Sequence, residues 1–112
     1  MSYRSDTALW IAQRASAAVL AVCVVVHLIT IVYAVRGGLT AVEILSRTRG
    51  SAGWLAFYSI FVLAVAVHAP IGLRPVVTEW LGWRGRSRDL FALLFGAILA
   101  WMGMRAVLTL FV

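Results

Sequence analysis

Apolar residues fill three long stretches of this chain, and the charges gather at their ends. Between Arg14 and Arg36 lie 21 uncharged residues, and between Arg49 and Arg74 lie 24. From Leu90 to Val112 there are 23 residues, interrupted only by Arg105. Crossing the hydrocarbon core takes roughly 20 apolar residues of helix. A helix also pairs its own backbone amides where no water can. The pattern predicts an all-α membrane protein with three transmembrane helices, over about 12–34, 52–74 and 88–111, forming one domain over residues 1–112.

Local signals add detail to this frame. In "TAVEILSR", Thr40 is an N-cap with Glu43 three residues on, the spacing of a capping box. Leu39, Val42 and Leu45 share a face, which predicts a short helix lying on the membrane interface. Pro70 leaves the Ala66 carbonyl without its amide partner, and Pro75 is expected to end the second span.

Composition supports the bilayer as the solvent. The chain is 63% hydrophobic and 12% charged, with a mean hydropathy of +0.99. A soluble domain of 112 residues has too little interior to hide that much apolar surface. The net charge of +6 does not mark a nucleic-acid binder, because the arginines sit at the ends of apolar runs as topology signals do. Arg4, Arg14, Arg74, Arg84, Arg86 and Arg88 fall on one side. Arg36, Arg47 and Arg49 fall on the other. The positive-inside rule then puts the N-terminus inside and the C-terminus outside. "VYA" at 32–34 resembles a signal cleavage site, but the apolar stretch before it is longer than a usual signal core and carries His27. Cys23 is the one cysteine, so it has no disulfide partner within the chain.

Two histidines lie inside the spans. An ionisable group at that depth is costly and faces a partner or a cofactor. An interhelical hydrogen bond, a proton relay and axial ligation of haem iron all remain open. His68 has Ala64 and Gly72 one turn away on either side, which leaves room for a flat ring. His27 has Cys23 and Ile31, a tighter setting. Counted from the span midpoints, the two imidazoles differ in depth by roughly 14 Å. They should not share one iron, so a second axial ligand would come from another chain. Arg14 and Arg74 close the inner ends of their spans, within reach of carboxylates hanging from a haem at His68. Glu79 and Trp80 lie just beyond, where an indole N–H and a carboxylate could serve a quinone.

The chain also resembles a known family. "QRASAAVLAV" at 13–22 looks like the opening of the first helix in the membrane anchors of succinate dehydrogenase and fumarate reductase. "HAPIGLRPVVTEW" at 68–80 looks like their second helix: a His, a Gly four residues on, an Arg, and an acid followed by an aromatic. The resemblance covers about residues 10–80. It implies a haem b-binding anchor of succinate:quinone oxidoreductase in a bacterial inner membrane. The chain would work with a second anchor subunit, an iron–sulfur subunit and a flavoprotein subunit, and would carry electrons to quinone without oxidising succinate itself. It implies that His68 ligates the inner haem. His27 would ligate an outer haem only in two-haem members, so one haem or two are expected. Arg14, Arg74 and Gly72 would flank the cofactor. Ser16, Glu79 and Trp80 would serve the quinone, though an indole cannot replace a phenol in proton transfer. The loop "WLGWRGRSRD" would be the docking surface. Two rivals stand beside this. A small multidrug-type transporter would need a fourth span and a carboxylate within the first. A non-catalytic assembly or anchoring protein would use the histidines for interhelical hydrogen bonds.

Overall fold

The structure is a computed structural model that describes residues 3–112. The elements are α1 (Tyr3–Arg36), α2 (Ala41–Thr48), α3 (Ala52–Leu81) and α4 (Arg86–Phe111). The three long helices are each apolar enough to cross a membrane. They form an elongated body of 49 × 26 × 22 Å with α3 in the middle, packed on α1 at one side and α4 at the other.

The sequence explains both seams. On α1, the less exposed residues Gln13, Ser16, Leu20, Cys23, His27, Thr30 and Ala34 recur every three or four positions, as a helix face requires. On α4 the inward stripe is Ala92, Gly96, Gly103 and Val107. Lipid gives little hydrophobic drive for helices to meet, so small residues that admit close backbone approach take over. A Cβ at Gly96 would lie 2.8 Å from the Pro70 ring and 3.1 Å from the Ala66 carbonyl oxygen. That carbonyl is the one whose amide partner Pro70 removes, so glycine brings α4 onto the interrupted rung of α3. A Cβ at Gly103 would lie 2.6 Å from a Val62 methyl.

The first loop folds as expected. The Glu43 amide donates to the Thr40 hydroxyl, and the Thr40 amide donates to the Glu43 carboxylate at 2.9 Å. Thr48 then donates to the Leu110 carbonyl at 2.9 Å, which ties α2 to the end of α4.

Two expectations need correction. Pro75 does not end the second span: α3 runs on to Leu81 and stops at Gly82, whose φ of 67° is left-handed. A proline removes one rung of the ladder, and later amides still reach back four residues, so the helix resumes. The first helix also begins earlier than the predicted span, at Tyr3. Its 34 residues make about 51 Å of helix, well beyond the roughly 30 Å of hydrocarbon.

Candidate functional site: two histidines on the α1–α3 seam

Both histidines turn toward the antiparallel α1–α3 seam. The Ser16 hydroxyl of α1 lies 3.4 Å from His68 Nδ1 and donates to the Gln13 carbonyl at 3.1 Å. The Tyr58 hydroxyl of α3 lies 3.4 Å from His27 Nδ1. The His27 ring meets Tyr58 and Phe61 edge-on, with centroids 5.7 and 5.6 Å apart. Tyr58 precedes His68 by ten residues on one helix, so the two imidazoles stand about 15 Å apart along the seam. This is close to the separation expected from the sequence.

Gly72 stands one turn beyond His68. The space a side chain would fill there is taken by the Gln13 amide, 3.1 Å from the position of a Cβ. In this chain, the close α1–α3 approach at Gly72 therefore uses the room expected for a flat ring. The Gln13 Oε1 is buried and accepts no hydrogen bond. Ser16, Gln13 and His68 make a polar group in an otherwise apolar seam, with one acceptor still open.

The arginines diverge. Arg14 is exposed, with its guanidinium 5.1 Å from the Trp10 ring centre. Arg74 instead pairs with Asp89 of α4 at 3.0 Å. Arg88 joins the same carboxylate at 2.8 Å and donates to Thr78, which donates to the Trp83 carbonyl. The second loop is thus a closed polar network. Glu79 and Trp80 are exposed near the end of α3, and Trp80 is 83% exposed. Because α3 stays helical past Pro75, Glu79 lies about 16 Å along the axis from His68. Ser16, level with His68, is not brought together with Glu79 and Trp80.

Above His27 lies a cavity of about 450 Å³, walled by Thr30, Tyr33, Arg47, Trp54 and Tyr58. Arg47 donates to the Tyr33 hydroxyl at 3.3 Å, and that bond pushes its pKa above the ordinary guanidinium range.

Three residues were not singled out from the sequence: Gln13, Tyr58 and Asp89. Stepping back from His68 by threes and fours gives Ala64, Phe61 and Tyr58, so the helical period carried a signal for Tyr58. Asp89 had none, because its pairing depends on how the α3–α4 turn closes.

With the space at Gly72 filled by Gln13, a haem at this level would have to lie outside the α1–α3 seam, between subunits. Such a group needs a single imidazole from this chain, and His68 is only partly buried, with its Nδ1 already engaged. A model of the succinate dehydrogenase/fumarate reductase transmembrane subunit family matches residues 1–109. The chain belongs to that family. It is a membrane anchor subunit, and its family implies partner subunits. No curated protein and no solved structure matches the chain.

Proposed function

We propose that this anchor binds haem b through His68 and supports electron transfer between an iron–sulfur subunit and quinone. The observation that carries the proposal is the Ser16–His68 contact. An imidazole with one nitrogen engaged and the ring partly open offers its other nitrogen outward. When bound, haem b would take up and release one electron. The chain's own residues would set its position. Close packing at Gly72 and Ser16 would fix the ring of His68, and Arg14 at the inner end would meet a carboxylate. Arg74 pairs with Asp89 in this chain and would have to leave it to do the same. The quinone would bind at the inner end, near Arg14, Glu79 and Trp80. The second axial ligand would come from a second anchor subunit, and the iron–sulfur and flavoprotein subunits would dock on the face of the second loop. The setting would be a bacterial inner membrane, with the N-terminus inside.

A reduced-minus-oxidised spectrum of membranes carrying the complex tests the proposal. We expect a Soret band that His68→Ala removes. A complex with no dithionite-sensitive Soret band would leave the second reading, in which the chain is an assembly or anchoring protein and its histidines only join helices. The His27–Tyr58 pair favours that role for His27. A second haem at His27 would raise the haem-to-protein ratio from one to two.

A further inference from the structure

The two histidines make contacts of the same length through the same ring nitrogen, but their partners differ in what they can give. The Ser16 hydroxyl has one hydrogen. It lies 3.1 Å from the Gln13 carbonyl oxygen, which can only accept, so that hydrogen is committed. Toward His68, 3.4 Å away, Ser16 has only lone pairs left. Nδ1 of His68 must then carry the proton, which leaves Nε2 bare. The Tyr58 hydroxyl has no competing carbonyl among the described residues, and His27 Nδ1 is its hydrogen-bond partner. A phenol is a stronger donor than an alcohol, and conjugation makes its oxygen a poorer acceptor. Tyr58 therefore donates, Nδ1 of His27 accepts, and the proton of His27 sits on Nε2.

We propose that Ser16 and Tyr58 hold the two imidazoles in opposite tautomers, so that His68 presents a bare Nε2 to a metal and His27 presents an N–H. Ser16 is then a positioning residue that acts through His68, rather than a group that touches quinone. Tyr58 keeps His27 as a hydrogen-bond donor beside the 450 Å³ cavity. The His68 half rests on the haem reading above; the His27 half does not.

An acceptor on Nδ1–H makes the imidazole a stronger electron donor and favours ferric iron. In the assembled complex in membranes, Ser16→Ala should keep the haem but move its midpoint potential upward, and Ser16→Thr should restore it. Tyr58→Phe should leave both the haem content and the potential unchanged. A potential that Ser16→Ala does not move would overturn the role of Ser16. Loss of haem from Tyr58→Phe or from His27→Gln would overturn the assignment of His27. Nitrogen-15 NMR of the dithionite-reduced complex, with histidine labelled in this chain only, reads the tautomers directly. His27 should show a protonated Nε2 and His68 a protonated Nδ1, and the same protonated nitrogen in both would refute the proposal. If the wild-type complex has no Soret band, the haem reading fails. The NMR comparison still decides the tautomers.

Discussion

At the scale of single residues, the chain is most sensitive where α4 meets α3. Gly103 faces Val62, a stiff β-branched side chain, and Gly96 faces a proline ring and a backbone carbonyl. Adding a methyl at either place forces a shift, at a cost of about 1–3 kcal/mol for overpacking. Gly103→Ala should lower the thermal midpoint of the detergent-solubilised complex, and Val62→Ala should recover most of that loss. The same Val62→Ala should do nothing for Gly96→Ala, because a backbone oxygen and a proline ring cannot withdraw. Recovery of both by Val62→Ala would show that the contacts are not local. The residue scale is also where the sequence was hardest to read. His68 and His27 stood out because ionisable groups in lipid are rare. Gln13 and Tyr58 did not, because a polar side chain near a span end and an aromatic within one are both ordinary. Their meaning comes from the register of two helices, which no single helix encodes.

At the scale of elements, the positions of the three spans were legible and their ends were not. Hydropathy reports where lipid begins. The backbone reports where hydrogen bonding stops, and α1 and α3 keep their ladders running past the apolar stretch. Pro75 shows the difference, since the rule that proline breaks helices assumes that the remaining bonds cannot hold the turn. The first-loop helix was legible because its capping box is a local code. Its stability should depend on that code: Thr40→Ala should weaken α2 by about 1 kcal/mol, read as faster amide exchange over residues 41–48 with α3 unchanged. Equal protection in the variant would mean that Thr48 and its bond to Leu110 hold α2 alone.

At the scale of the whole molecule, the arginine asymmetry makes a topology prediction. An alkaline phosphatase fused after Val112 should be active, and a fluorescent protein fused there should be dark, because the C-terminus is expected outside. The reverse pattern would invert the placement of every inner and outer residue. The α3–α4 turn gathers Arg74, Arg84, Arg86 and Arg88 at one end of the bundle. Arg74 and Arg88 share Asp89, so Asp89→Asn removes the negative charge that both guanidinium groups face there. The variant should assemble less complex, seen as a smaller amount of this chain co-purifying with its partner subunits.

The two seams of α3 are unequal in kind. Toward α4 they are glycine against proline and valine, closed at one end by a four-residue turn and an ion pair. Toward α1 they include two polar contacts of 3.4 Å and an acceptor with no donor, joined by the longer loop that holds α2. During biogenesis, α3 and α4 should therefore leave the insertion machinery as a preformed hairpin, with α1 settling against it last. A chain cut in the first loop and expressed as two pieces should still yield a paired α3–α4 fragment.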